Sequence, residues 1–197
     1  TFLFIQQFGN TVFVEFAKGY LEQMITDKGG NVIGVPGYSG YLAFWVNQKI
    51  MDNAGITSID TKEDFKKYMS AASVNGTYGY GGSWEKTYVF NEIAQFVNMF
   101  GGDYFDWTRP ENKEAIQFLY DMVKNNETPI DQIADKYEQM NPKANDGKYG
   151  CWFMWGLGSD YQKAGMLGDD KIHMAMVPSM TDDGNRAIFT DSWSYVL

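Results

Sequence analysis

One cysteine and one histidine occur in 197 residues. A single cysteine, Cys151, cannot close an internal disulfide, and a lone histidine, His173, leaves little for a metal cage or a nucleophilic triad. No apolar run is long enough to span a bilayer. Positive charge is scarce: 16 Lys and Arg stand against 25 Asp and Glu, a net charge of −9. That balance argues against a nucleic-acid partner, which needs basic patches, and against docking on anionic lipid. A phosphate cradle is missing too. The glycine-dense "GVPGYSG" has neither the Gly-Lys-Ser/Thr ending of a P-loop nor a G-x-G-x-x-G, and Pro36 removes an amide donor.

What is abundant is aromatic: 14 Phe, 13 Tyr and 6 Trp. Cores favour Phe, whereas an excess of Tyr and Trp suits surfaces that are flat, apolar and hydrogen-bonding at once. The clusters are Tyr38/Tyr41, Trp84/Tyr88, Trp152/Trp155/Tyr161 and Trp193/Tyr195. Most stand beside glycines in loops or at strand ends, and they read equally as core filling or as the lining of a cleft. Phe65 and Phe96 lie on helical stripes and are core. A sugar offers flat C–H faces and a rim of hydroxyls, and its complement is an aromatic plate with Asp, Asn or Ser beside it.

The periodicity predicts an α/β chain. Helices are expected over 13–24, over a short segment ended by Gly55, over 60–72 with Asp60 as cap and Glu63 three residues on, over 89–100 closed by Gly101, and from Pro110 through Val123. The last presents Ala115, Ile116, Leu119, Met122 and Val123 on one face. Strands are expected at "NVIGVP", "LAFWVNQ", "YGYGG", "KYGCWFMWG", "KIHMAMVP" and "AIFTDSWSYVL". Residues 128–148 read as loop or a poorly marked helix. Cys151 reads as a buried inert thiol, and His173 as an exposed or edge residue opposite Ile172, Met174 and Met176.

Three chemistries compete with simple binding. Calcium would use "GGDYFDW" or "DDGNRAIFTD", but neither follows the loop pattern of a calcium site. Glycoside hydrolysis would need two inward carboxylates, drawn from Glu85, Asp103, Asp106, Asp160 and Asp191, all neighbours of Trp or Tyr. A peptide-binding module would need a free sheet edge. "NGT" at Asn75 and "NET" at Asn126 match glycosylation acceptors by triplet alone.

The order of motifs from Ile33 onward resembles extracellular solute-binding proteins of carbohydrate ABC importers, the broad family that includes maltose-binding protein. The matching pieces are "GVP", the loop "GYSGY", "LAFWVNQ", "KIMDNAGI", "TKEDFKKY", "YGYGGSW", a helix ending "FGGD", "EAIQFLYDMV", "GKYGCWFMWG" and "HMAMVPSMTDDG". Two places depart from the family pattern: Val46 stands where Tyr is usual, and "WGLG" replaces Gly-Pro-Trp. The resemblance implies a two-lobe periplasmic-binding-protein-like fold of type II. Residues 1–56 would be part of the first lobe and its crossing strand, 57–177 the second lobe, and 178–197 the return strand. It implies a receptor without catalytic residues, cofactor or metal. A carbohydrate, expected to be an oligosaccharide, would be held by Tyr38, Ser39, Tyr41, Trp84, Tyr88, Trp155, Asp191 and Trp193 and passed to the permease subunits. The protein would be an extracytoplasmic monomer, periplasmic or a surface lipoprotein. The chain is expected to be the middle of a longer protein, with residues 1–30 poorly protected because Phe2, Phe4, Phe8, Phe13 and Phe16 have no evident partner in it.

Overall fold

Leu42, Phe44 and Val46 alternate with Ala43 and Trp45 along one strand, and all five are buried. Period-two alternation with both phases apolar means a sheet covered on both faces. The computed structural model describes residue 27 and residues 29–156 and 158–196; the side chains of 35–39, 158–160, 191–194 and 196 fall outside the described set. The helix expected over 13–24 and the phenylalanines before it lie outside the described residues.

Among the described residues the strands are β1 (Gly34–Asn47), β2 (Tyr78–Gly81), β3 (Tyr149–Trp155), β4 (Ile172–Met174) and β5 (Thr190–Val196). The α-helices are α1 (Gln48–Asn53), α2 (Lys62–Ala72), α3 (Val89–Met99), α4 (Pro110–Lys124), α5 (Tyr137–Asn145) and α6 (Gly158–Lys163). A 3₁₀ turn spans Ile130–Ala134. Residues 41–189 form one compact unit, while the chain through Gly40 and from Thr190 belongs to another. The sheet order is β2-β3-β1-β4, and β5 also pairs with β1. β1 runs antiparallel to β3, with Leu42 opposite Trp155 and Val46 opposite Cys151, and antiparallel to β4. β2 and β3 are parallel.

One face of the sheet (Leu42, Phe44, Val46, Tyr80, Cys151, Phe153) packs on α2, α3 and α4 through Phe65, Tyr68, Phe96 and Phe118. The other (Ala43, Trp45, Trp152, Met154, Ile172) packs on α5 and α6 through Met140, Ala144 and Tyr161. On this second face Trp152 Nε1 donates to the Tyr161 hydroxyl at 3.0 Å and Trp45 Nε1 to the Met154 carbonyl at 3.2 Å. Trp152 and Tyr161 are therefore core, not cleft. The α2 backbone comes very close to β2: a Cβ on Gly79 would stand 2.6 Å from the Cα and carbonyl oxygen of Met69.

The structure corrects several local expectations. The two strands predicted around a "GYSGY" loop are one continuous strand of 14 residues. Its backbone is engaged by neighbouring strands, and Pro36, near its start, stands where a sheet tolerates the lost donor. The α2 cap is Thr61, not Asp60. Thr61 Oγ1 accepts the Asp64 N–H at 3.1 Å, and Asp64 Oδ2 accepts the Thr61 N–H at 3.2 Å. Asp60 instead accepts from Ser58 and Arg186. The buried stripe of α4 is Asn112, Ala115, Phe118, Leu119 and Met122, leaving Ile116 exposed. β4 stops at Met174, after which only the Ala175 N–H still reaches Phe44, and Met176 is exposed. The ambiguous stretch 128–148 holds the 3₁₀ turn and α5, whose internal Pro142 weakens the helical signal. Gly55 and Gly101 do follow helix ends with φ of 67° and 77°. Asn75 and Asn126 have φ of 54° and 59°, a left-handed conformation that Asn tolerates well.

Candidate functional site: an aromatic face on residues 41–189

The site begins where β2 ends. After Gly81 the chain turns through Gly82, Ser83 and Trp84 toward α3. The Gly82 N–H donates to the Gln132 side chain at 2.8 Å, and the Trp84 N–H to the Gln132 carbonyl at 3.1 Å. The Trp84 indole folds back so closely that a Cβ on Gly82 would stand 2.5 Å from Trp84 Nε1 and 2.6 Å from Glu92 Oε2. Trp84 Nε1 donates to Glu92 Oε2 at 2.9 Å, the Ser83 N–H donates to Glu92 Oε1 at 2.7 Å, and the Tyr80 hydroxyl donates to the same carboxylate. Glu92 is buried, and that burial pushes its pKa up although the three donors pull the other way.

The neighbouring residue on α3 holds the second half. Asn91 Nδ2 donates to the Tyr137 hydroxyl at 3.0 Å, and Trp155 Nε1 donates to the same oxygen at 2.9 Å. The Tyr137 ring lies 4.4 Å from that of Tyr88, and burial raises its pKa. Trp155, the last residue of β3, meets Phe189 edge-on with ring centroids 6.1 Å apart. Phe189 is placed by Gln95, whose Oε1 accepts the Phe189 N–H at 2.5 Å while its Nε2 donates to the Ala187 carbonyl at 2.8 Å. The consecutive polar residues Asn91 and Glu92, with Gln95 one turn on, thus orient Tyr137, Trp84 and Phe189.

A phenol oxygen that accepts two hydrogen bonds keeps its own hydrogen to give. Tyr137 is half-buried, and its hydroxyl, accepting from Asn91 and Trp155, is the group of this cluster with a donor left.

Of the residues expected from the sequence, the structure brings Trp84, Tyr88 and Trp155 into this one network. Tyr41 is 48% exposed on β1 and makes no ring contact among the described residues. Tyr38, Ser39, Asp191 and Trp193 fall on β1 and β5, and their side chains lie outside the described residues. Trp84 and Trp155 are not free plates: both are half-buried and pack against the core. Sequence reasoning missed Asn91, Glu92, Gln95, Tyr137 and Phe189. The usable signal was "NE" and "Q" inside an otherwise apolar helix.

The acids weighed for hydrolysis serve turns where they are described. Glu85 accepts the Thr87 N–H, Asp103 the Phe105 N–H, and Asp106 both the hydroxyl and the N–H of Thr108. These bonds hold Glu85 and Asp106 below the usual carboxylate range. In the second calcium candidate, Asp183 likewise accepts from Thr181 and Asn185. Among the described residues no three His, Cys, Asp or Glu side chains converge on a metal position.

A family model described as bacterial extracellular solute-binding protein matches residues 4–197. The chain belongs to that family. It is a family of binding proteins rather than enzymes. An arabinooligosaccharide-binding protein of Halalkalibacterium halodurans is 32% identical over 146 residues, 66% of this chain and 32% of the relative. Among solved structures, the maltose-bound MalE3 of T. maritima aligns with a TM-score of 0.72 at 17% identity, covering 90% of this chain and 48% of that one. A Thermotoga lettingae solute-binding protein bound to alpha-D-tagatose gives 0.74 at 20% identity over 90% and 48%. The solute-binding fold is thereby shown, and the chain spans about half of these structures and a third of the curated relative. No helix among the described residues is long and apolar enough to cross a membrane.

Proposed function

We propose that this chain is part of the carbohydrate receptor of an ABC importer, binding an oligosaccharide without chemical change and delivering it to the permease. The observation that carries the reading is the Trp155–Tyr137–Asn91 arrangement: ordered aromatic rings with a hydrogen-bond donor held beside them. Rings take the C–H face of a sugar, and the donor takes a hydroxyl or ring oxygen. The names of the relatives, which speak of arabino-oligosaccharides and maltose, support the same class. A monomeric, extracytoplasmic receptor, periplasmic or lipid-anchored, belongs to the proposal, as do the lobe boundaries near residues 57 and 177 and the remaining side chains Tyr38, Ser39, Tyr41, Asp191 and Trp193.

The test is a thermal-shift screen of the full-length protein against arabino- and malto-oligosaccharides, followed by chromatography of the incubated sugars. A binder at a hundredfold excess over its dissociation constant stabilises by about 2.7 kcal/mol. Stabilisation with unchanged sugars is the expected result. No shift with any glycan, or turnover lost in Glu85→Gln, would overturn the receptor reading.

A further inference from the structure

Phe189 has a second neighbour. It also meets Phe90 at 6.5 Å, and both rings line a hollow of about 320 Å³. One face of α3 makes its floor: Phe90, then Ala94, whose small side chain leaves the space, then Asn98. The loop after α3 makes its wall with Asp103, Tyr104 and Phe105. Phe105 is 92% exposed and Phe90 is 45% exposed.

The loop is not a loose tip. Buried Asn112 on α4 accepts the Asp103 N–H at 3.0 Å and donates to the carbonyls of Asp103 and Asp106 at 2.7 and 3.2 Å. Asp103 Oδ1 accepts the Phe105 N–H at 2.9 Å. Tyr104 sits 5.6 Å from Phe105 and 5.7 Å from Trp107. The backbone that carries this exposed ring is therefore held by four hydrogen bonds, three of them to Asn112 on α4, an arrangement that favours a partner which covers it.

The polar groups identify the chemistry of that partner. Asp103 Oδ2, the Asn98 carboxamide and the Tyr104 hydroxyl have no hydrogen-bond partner among the described residues. Rings alone would suit a lipid or an apolar peptide side chain. Rings rimmed by an unspent carboxylate, amide and phenol suit a neutral polyhydroxy ring, and the volume admits a terminal unit rather than a whole oligosaccharide.

We propose that this hollow seats a terminal sugar residue of the same glycan that lies on Trp155, with Phe189 shared between the two positions. The inference rests on the reading of the Trp155 face as a carbohydrate site, and it adds that the ligand is long enough to pass Phe189.

Calorimetry on the full-length protein with linear arabino- and malto-oligosaccharides, from disaccharide to hexasaccharide, tests it. Phe105→Ser alters a side chain almost wholly in water, so the fold is kept. It should weaken the longer glycans by about tenfold or more and leave the disaccharide within about twofold. Tyr104→Phe, which keeps the ring, should show the same length dependence to a smaller degree. Trp155→Phe should weaken every length, because every glycan in the series occupies the Trp155 position. Binding of long and short glycans equally untouched by Phe105→Ser and Tyr104→Phe would overturn the hollow while leaving the receptor reading intact. If the unaltered protein binds no glycan, or binds an apolar peptide instead, both the receptor reading and the terminal site fall.

Discussion

Trp155 gives its indole N–H to the hydroxyl of Tyr137 at 2.9 Å, across 18 residues of sequence. The bond fixes the plane of the one tryptophan that closes β3 and, through Phe189, joins the strand to the segment held by Gln95. It also makes Trp155 a structural residue as well as a surface one.

Trp155→Ala is therefore expected to lower both affinity and stability. A half-buried indole packed on the core and on Phe189 should cost about 2 kcal/mol of stability when removed. Tyr137→Phe leaves the Trp155 and Asn91 donors without their acceptor and should cost about 1–2 kcal/mol. Urea unfolding of each variant checks the loss of stability, and calorimetry with the best sugar checks the loss of affinity. Unchanged unfolding in Trp155→Ala would show that the packing contributes nothing.

Glu92 should leave a signature in the pH profile. Burial raises its pKa in the folded protein above the unfolded value. Between those two values the folded state binds more protons, so stability falls as pH rises through that window above about 4.5 and is recovered on acidification. Glu92→Gln removes this titration and should flatten the slope over that window, by at most about 1.4 kcal/mol per pH unit. The comparison is of slopes, because the Gln amide also misfits the Trp84 and Ser83 donors and will lower stability at every pH. Melting temperatures measured from pH 4.5 to 8 decide it; parallel curves would refute the assignment.

Gly82→Ala places a methyl group where Trp84 and Glu92 already stand. About 1–3 kcal/mol of destabilisation is expected from the overpacking, together with a changed tryptophan emission as the indole is pushed off Glu92. Gly184→Ala, where nothing lies within 4 Å but φ is 75°, is the control: a loss near 1 kcal/mol without a spectral change.

Cys151 is buried in β3, and its surroundings push the thiol pKa up. A thiol reagent at neutral pH should modify it only through opening of the fold, so the labelling rate should follow urea concentration as global unfolding does. Rapid labelling in native buffer would mean that β3 opens on its own.

The elements of this chain were legible where packing agrees with local pattern. The α2 stripe of Phe65, Tyr68, Met69 and Ala72, the glycines after α1 and α3, and the buried run of β3 all follow from spacing. The failures share a cause, which is that long-range partners decide them. Gly37 through Tyr41 look like a loop by composition yet belong to β1, a strand that pairs with β3, β4 and β5. Asp60 is as good a cap as Thr61 by type, and which is used is settled by the Asp64 side chain that closes a box with Thr61 and by Ser58 and Arg186, the latter 126 residues away, which engage Asp60. In the site, Trp84, Tyr88 and Trp155 were visible as residue types. Asn91, Glu92 and Gln95 were hidden because a polar residue in a helix normally faces water, and here these point inward to orient rings that follow or precede them by up to 94 residues.

The seat of α2 on bare backbone at Gly79 has a volumetric meaning. Where the Met69 main chain would stand 2.6 Å from any Cβ at that position, helix and strand leave no side-chain gap between them. Pressure unfolds proteins in proportion to the empty space that unfolding eliminates. This junction has almost none to give up, so under compression the α2–β2 contact should be among the last parts of residues 41–189 to yield.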